Sequence, residues 1–534
     1  MTFNILLTAL VVLFCVLLNR LSYKIGIPML LTFIALGMAF GTDGFFKIPF
    51  ESYAFAEQVC SAALIFIMFY GGFGTNWNQA RPVAVRSFLL STLGVVLTAG
   101  LTGLFCHLAL NIPLLESLLI GAVVSSTDAA SVFAILRSKR LGLKYNTDSM
   151  LELESGSNDH CSYMLTVLVL TLMHGGVTGG TVVGLVLAQF GFGILAGVAV
   201  AFGAVYFLRH FNFSTDGYDM AFAVGAALLA YACAALIGGN GYLSTYICGI
   251  LLGNLEIRNK KALVHFFDGV TGLMQMLIFF LLGLLSTPSR LPAIFLPALG
   301  IMLFLTLVAR PVSVFAILTP FRCPVRQQLL VSFAGLRGAA SIVFAIMATM
   351  GPTTIGGDLF HIVFCVVLLS IAFQGSLLAP CAKALSMSDK SIDVMKTFSD
   401  YSEEAGLHFI QVRLPPRHPW VGRTIRDATL PPDTLIVLLL RNGESLIPNG
   451  STVLQANDVA VLSAHRFDGD AIELTEHRIL PGSRWIGKTI LDFSPRPDEL
   501  VVMVLRGQRT ILPKGDTVIH RNDVLVVSSH SENE

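Results

Sequence analysis

Charge is what this sequence has least of. Only 13% of its 534 residues are Asp, Glu, Lys or Arg, against 54% hydrophobic, and the mean hydropathy is +0.73. Soluble domains carry roughly a quarter of their residues as charges, so a soluble protein is excluded for the bulk of the chain. Repeated apolar runs of about 20 residues mark a multi-span membrane protein instead. A formal net charge of +1 leaves no basic excess with which to bind nucleic acid. Cysteine pattern is missing too: Cys15, Cys60, Cys106, Cys161, Cys233, Cys248, Cys323, Cys365 and Cys381 are scattered, with no CxxC and none later in the chain. That removes both a disulfide framework and a zinc site. The first apolar run, MTFNILLTALVVLFCVLL, has no Lys or Arg before it and no small-residue cleavage site, so a retained first span is expected rather than a removable signal.

The apolar runs predict thirteen spans, near 4–19, 25–40, 57–75, 84–110, 116–137, 149–174, 181–208, 218–238, 240–255, 262–286, 292–318, 326–350 and 359–386. The break at GGNGYL (238–243) separates two spans or kinks one long helix. Alternate loops carry Arg20 and Lys24; Arg81 and Arg86; Arg137, Lys139, Arg140 and Lys144; Arg209; Arg258, Lys260 and Lys261; Arg322 and Arg326; then Lys383, Lys390 and Lys396. The opposite loops carry only Lys47 and Arg290. By the positive-inside rule the N-terminus lies outside the cell membrane and the C-terminus in the cytoplasm, and one helix more or fewer would invert the pattern from that point.

Past about residue 390 strands, prolines and charges alternate, as in a soluble domain. WVGRTI (420–425) recurs as WIGKTI (485–490), PDTLIVLLLR (432–441) as PDELVVMVLR (497–506), and PNGSTVLQANDVAVLSAH (448–465) as PKGDTVIHRNDVLVVSSH (513–530). The offset is constant, which predicts two copies of one small α/β unit containing strands such as LIVLLL and VAVLSA. The expected organisation is a membrane domain (1–388), a linker (389–405) and two repeats (406–470 and 471–534).

Charges inside lipid are costly, at roughly 2.5–3.5 kcal/mol each on insertion scales, and call for a functional reading. Five stand out: Asp128, Glu154, Asp159, Arg310 and Arg337. Asp159 falls near the middle of its predicted span, too deep to reach water by extension. Ser155, one turn back, shares its face, and Asn158 adjoins it, so hydroxyl and carboxylate oxygens can surround one ion. A desolvated carboxylate can hold either a proton or a monovalent cation near neutral pH; the alternative is a structural salt bridge. Glu154 is expected to pair with Arg310, in LTLVARPVSVF. Asp128 follows Ser125, Ser126 and Thr127, a cluster that favours a locally broken helix whose freed carbonyls and half-helix ends can bind cations, which makes Asp128 and Thr127 candidate ion-binding residues, and Arg337 lies in the glycine-interrupted SFAGLRGAASIVF. Two interrupted helices, one in each half of the chain, point to a transporter with inverted repeats and a midplane site; simple glycine-mediated packing is the alternative.

The motifs STDAASV (126–132), ESGSND (154–159), GYLSTYICGILLGN (241–254), VARP (308–311), GLRGAAS (335–341) and FQGSLLAP (373–380), taken in order, resemble the NhaP-type monovalent cation/proton antiporters of the sodium/proton exchanger superfamily. The resemblance implies that Asp159, with Asn158, binds proton or cation and that Ser155 is a ligand. It also implies that the helix of Thr127 and Asp128 is unwound and crosses the segment around Arg337, and that Glu154 and Arg310 form the family's ion pair. The implied assembly is a homodimer whose six-helix core domains move against a dimerisation scaffold. Tyr70, in FYGG, stands where relatives commonly have an acidic residue. Each tail repeat resembles the TrkA-C or RCK-C ligand-binding module, without the Gly-rich nucleotide-binding half.

The resulting expectation is a polytopic helical antiporter, not an enzyme, that exchanges cytoplasmic K⁺ or Na⁺ for H⁺ electroneutrally and serves pH homeostasis, with no cofactor. Its tail would regulate transport through a small anion such as a nucleotide met by Arg423, Arg441, Lys488 or Arg506. A ligand-gated cation channel with the same module is the rival, but no repeated TVGYG-like filter loop is present.

Overall fold

The computed structural model describes residues 9–17, 28–75, 77–138, 141–175, 179–211, 217–255, 257, 259–351, 358–389, 407–416, 418–430, 434–441, 444–446, 448–465, 472–479, 483–492, 499–506, 509–511 and 513–530. Most of the expected linker, with Lys390 and Lys396, lies outside them, as do Arg20, Lys24, Lys139, Arg140 and Arg258. Two compact units are formed, Met1–Tyr401 and Ser402–Glu534.

The first unit is helical. Helix α1 covers residues 9–17, followed by α2 (Met29–Phe40), α3 (Tyr53–Gly74), α4 (Ala84–Leu110), α5 (Leu114–Val124), α6 (Ala129–Ser138) and α7 (Thr147–Met173). Next come α8 (Gly179–His210), α9 (Tyr218–Leu236), α10 (Gly241–Asn254), α11 (Lys260–Leu285), α12 (Pro288–Leu318), α13 (Val325–Phe333), α14 (Ala339–Met350) and α15 (Leu359–Ala384). Among the described residues seven helices, α3, α4, α8, α9, α11, α12 and α15, are individually long and apolar enough to cross a membrane. Exposed Val183, Leu187, Leu195 and Phe202 give α8 an outward apolar face that suits lipid, not water.

At GGNGYL there are two helices. The chain leaves α9 at Leu236, Gly238 takes a positive φ of 79°, and Asn240 caps α10 by accepting the Leu243 N–H at 3.0 Å. Helices α3 and α10 then meet backbone to backbone: a Cβ on Gly72 would stand 2.9 Å from the Ile250 nitrogen, and one on Gly249 3.0 Å from that of Phe73.

Two helices break near their middles. Backbone 126–128 is non-helical between α5 and α6, and 335–338 between α13 and α14. Each interrupted helix follows one that contains a single π-turn, Leu90–Gly94 in α4 and Leu305–Ala309 in α12. These two partners touch where Thr98 Oγ1 donates to Ser313 Oγ at 3.0 Å. A short antiparallel ladder, β1 (Gly142–Leu143) with β2 (Ser388–Asp389), closes the unit.

In the second unit each repeat is a four-stranded antiparallel sheet. The first has the order β3-β6-β4-β5, from Leu407–Arg413, Val459–His465, Leu435–Arg441 and Glu444–Leu446; the second has β7-β10-β8-β9, from Ile472–Arg478, Val524–His530, Glu499–Arg506 and Arg509–Ile511. The expected α/β unit is thus corrected: no α-helix occurs among the described tail residues. The described link WVGRTIRDATL (420–430) runs as turns around Gly422, whose φ is positive, so no helix of useful length forms there.

The copies agree in detail. Leu414, Ile436, Leu439 and Leu454 form one core, and Ile479, Val501, Val504 and Ile519 the other. Gly422 and Gly487 take φ of 82° and 85°, and Asn457 and Asn522 φ of 71° and 66°. These left-handed turns explain the glycine of W-x-G-x-T-I and the asparagine of N-D-V.

Candidate functional site

One face of α7 is fastened along the first break. Ser155 Oγ donates to the Thr127 carbonyl at 2.5 Å, and Ser162 Oγ to that of Ala122 at 2.7 Å. Between them, Asn158 Oδ1 accepts the Thr127 N–H at 3.4 Å, and Asn158 Nδ2 donates to Thr127 Oγ1. Ser126 Oγ donates to Asp159 Oδ1. Residues 155, 158, 159 and 162 recur at helical spacing, so a single helix face supplies the groups that the unwound backbone needs.

Asp128 caps α6. Its carboxylate accepts the Ser131 N–H at 3.2 Å and the Ser131 hydroxyl, the usual way to satisfy a helix's orphan first-turn donors. Its own N–H donates to the Leu336 carbonyl at 2.8 Å, which ties the first break to the second. A Cβ on Gly338 would lie 2.6 Å from Asp128 Cγ, so only glycine lets the two segments cross this closely.

Arg337 is fully buried. Its Nη1 donates to the carbonyls of Ser125 at 2.7 Å and Ser126 at 2.8 Å, acceptors released at the C-terminal end of α5, where the helix dipole is negative. The second break is served from α15. Gln374 Nε2 donates to the Phe333 carbonyl at 3.2 Å, Ser370 Oγ to Gln374 Oε1 at 2.5 Å, and the Arg337 N–H to Ser370 Oγ at 3.0 Å. Against Gly335 of the second break, where a Cβ would stand 2.9 Å from Arg310 Nε, Arg310 Nη2 lies 2.5 Å from Glu154 Oε1, both side chains almost wholly buried.

A cavity of about 360 Å³ opens beside the first break. Ser126, Thr127, Asp128, Glu152, Ser155 and Asp159 line it from the first break and α7, and Tyr70, Tyr246, Asp268, Thr271 and Gln275 from α3, α10 and α11. Of the expected ion-binding residues, Asp159, Ser155, Asp128 and Thr127 line this space. Asn158 is fully buried beside it, bonded to Thr127. Arg337, Glu154 and Arg310 stand outside it. No Lys, Arg or His is among the described residues that line it. Ser126 and Ser155 give their protons to other oxygens, so both hydroxyls present oxygen to the cavity.

Tyr70 Oη donates to Asp268 Oδ1 at 3.1 Å, so a carboxylate does face the cavity near Tyr70, delivered from α11. Sequence reasoning passed over Asp268 although it interrupts an apolar run, HFFDGVTGLM. It read Ser126 only as a marker of the break and passed over Gln374, which lies inside a motif already singled out.

In the tail, Arg441 is engaged within its own repeat. Its Nε and Nη2 grip both oxygens of Asp458, at 2.9 and 2.8 Å, and Nη2 also donates to the Val453 carbonyl at 2.8 Å. Arg506 does the same with Asp523 and Val518. Lys488 Nζ sits 5.2 Å from the Trp485 ring centroid. At Arg423 the backbone is bonded, N–H to Trp420 O and carbonyl from the Leu454 N–H. The Arg441 hydrogen bond holds the Asp458 carboxyl below its usual range. For Asp523 burial pushes upward, and the Arg506 hydrogen bond with the His520 N–H outweighs it.

A model of the sodium/hydrogen exchanger transmembrane family matches residues 7–384. The chain belongs to that family. The sodium/hydrogen exchanger region is followed by two matches to the TrkA-C domain, at 409–472 and 474–534. Among exchanger relatives, the K(+)/H(+) antiporter NhaP2 of Shewanella baltica is 33% identical over 460 residues, 85% of this chain and 79% of that one. The K(+)/H(+) antiporter NhaP of Alkalimonas amylolytica is 31% identical over 510 residues, 93% and 88%. The fold is that of the sodium proton antiporter MjNhaP1 from Methanocaldococcus jannaschii, with a TM-score of 0.64 at 23% identity over 72% of this chain and 99% of that one.

Proposed function

We propose that this exchanger is a secondary active antiporter that trades cytoplasmic K⁺, or Na⁺, for H⁺ at Asp159. The observation that carries the reading is the placement of Asp159: 6% exposed, bonded to Ser126, beside Ser155 and Thr127 at an unwound segment, on a cavity without a basic group among its described lining. A carboxylate so placed needs a positive partner when ionised, and either a proton or a monovalent cation answers. K⁺ is favoured over Na⁺ because relatives named K(+)/H(+) antiporters match across most of the chain.

The neighbouring Asn158 holds the broken helix at Thr127 and does not titrate, so one carboxylate carries one charge each way and exchange is electroneutral. Asp128, Thr127 and Arg337 shape the crossing, and Glu154 with Arg310 brace it. The matching order of π-turn helix and interrupted helix in the two halves supports inverted repeats, within thirteen spans and an outside N-terminus. The protein acts as a homodimer in the cell membrane, and the cytoplasmic tail biases transport; Arg423 and Lys488 remain candidates to meet its ligand, Arg441 and Arg506 being committed to Asp458 and Asp523.

The test is Asp159→Asn in proteoliposomes under an imposed pH gradient. Loss of K⁺- and Na⁺-driven proton flux from a folded dimer is expected, with wild-type flux indifferent to membrane potential. Substantial exchange by the variant overturns the site, and strong voltage dependence of the wild type overturns the stoichiometry.

A further inference from the structure

We propose that Asp268 is a second cation-handling carboxylate of this transporter, a vestibule ligand held by Tyr70 on the cavity it shares with Asp159, and that it receives the incoming monovalent cation first. The inference rests on the antiport reading and adds a residue to it.

Helix α11 presents a stripe to the cavity. Asp268, Thr271, Gln275 and Phe279 all line it, at intervals of three, four and four residues, so they lie along one helix face. The stripe runs carboxylate, hydroxyl, amide, aromatic ring, and its three polar members span roughly 10 Å at 1.5 Å per residue. Beyond Lys260, Lys261 and His265 at its start, α11 thus brings a polar row to the same cavity as Ser126, Ser155 and Asp159.

Depth orders the two carboxylates. Asp268 lies roughly 12 Å along α11 from Lys260, and Asp159 roughly 18 Å along α7 from Thr147. Both helices start from lysine- and arginine-bearing loops that the positive-inside pattern puts on the cytoplasmic side. A cation entering from the cytoplasm therefore meets Asp268 before Asp159. Asp268 is exposed, whereas Tyr70 is buried, so the tyrosine fixes the carboxylate from behind while its open side keeps water. An ion there sheds only part of its hydration before passing on. With no basic group among the described lining, low-dielectric walls focus the negative field and concentrate cations at the mouth.

A carboxylate that only fastened α3 to α11 would matter for folding and turnover and not for ion capture. Full-length protein in proteoliposomes, assayed for exchange against K⁺ and Na⁺ concentration, separates the two. Asp268→Asn is expected to raise the apparent KM for both ions roughly tenfold while the rate at saturating cation stays within about twofold. Added choline chloride should raise the wild-type KM by screening, and Asp268→Asn, which lacks the screened charge, should lose that rise. Tyr70→Phe, which keeps the charge and frees its orientation, should give a smaller shift of the same kind, and Tyr70→Glu combined with Asp268→Asn should recover most of the affinity. Unchanged KM in Asp268→Asn, or a loss confined to the maximal rate, overturns the proposal. An active Asp159→Asn would instead sink the antiport site, whatever Asp268 does.

Discussion

Arg337 and Arg441 perform one task in two solvents. Each is a guanidinium that closes backbone carbonyls left open where regular structure ends, Ser125 and Ser126 for the first and Val453 for the second. Arg337 is wholly buried among helices and hydrogen-bonds no carboxylate among the described residues. Arg441 is 28% exposed and clasps Asp458. The difference teaches what each medium demands: inside the membrane unit no water can replace a lost donor, whereas at the tail surface water can, and a carboxylate is there to hold the arginine in place.

Removing the buried member should have the larger effect. Arg337→Met leaves two buried acceptors bare, at about 2 kcal/mol each, and should cost about 4 kcal/mol in stability together with exchange activity. Thermal unfolding of the detergent-purified protein and its folded yield measure this; Arg337→Lys, a point charge that cannot fork, should fall between. A wild-type melting curve for Arg337→Met would dissolve the comparison.

In the tail the same cut should be local. Arg441→Ala is expected to cost about 2 kcal/mol and to speed backbone hydrogen exchange in β4 and β6 while β8 and β10 keep wild-type protection, with Arg506→Ala giving the mirror result. Loosening of both repeats by either variant would mean that they fold as one cooperative body.

Acid should produce the smallest and most reversible change. Asp458 and Asp523 titrate below the unfolded value of about 3.9, so their ionised pairs contribute full stability above about pH 4. That contribution fades as the pH falls through the lowered folded values. Hydrogen exchange across the repeats should be flat from pH 7 to 5, after correction for intrinsic rates, and should rise below 4. Loosening that began near pH 6 would assign the sensitivity to histidines instead.

Much of the site was legible because helical spacing is local. ESGSND at positions 155, 158 and 159 places three polar groups on one face, and the hydroxyls before Asp128 announce a break. What pairs with that break was not legible: Arg337 reaches Ser125 across 212 residues of sequence, and Gln374 reaches Phe333 from another helix. The tail misled for a related reason. Arg441 sits at the end of a strand like a solvated charge, and its partner, the Asp of N-D-V, is 17 residues away on the far side of a turn. The α/β expectation failed because the repeat pattern revealed strands but not that the described links between them would run as turns. Asp268 was missed for want of a count, being one more charge in an apolar run.

The tail also records a history. Sheet order, both left-handed turns, both arginine clasps and even the strand bulges, at Ile436/Leu438 and at Val501/Met503, recur at the same spacing. A tandem duplication followed by drift leaves such a trace only when lineages that gained or lost a single residue did not persist. Side chains were free to change, Trp-Val-Gly-Arg against Trp-Ile-Gly-Lys, while length was not. For anyone who would splice a tag or sensor into this region, the register the two copies share is the frame to preserve.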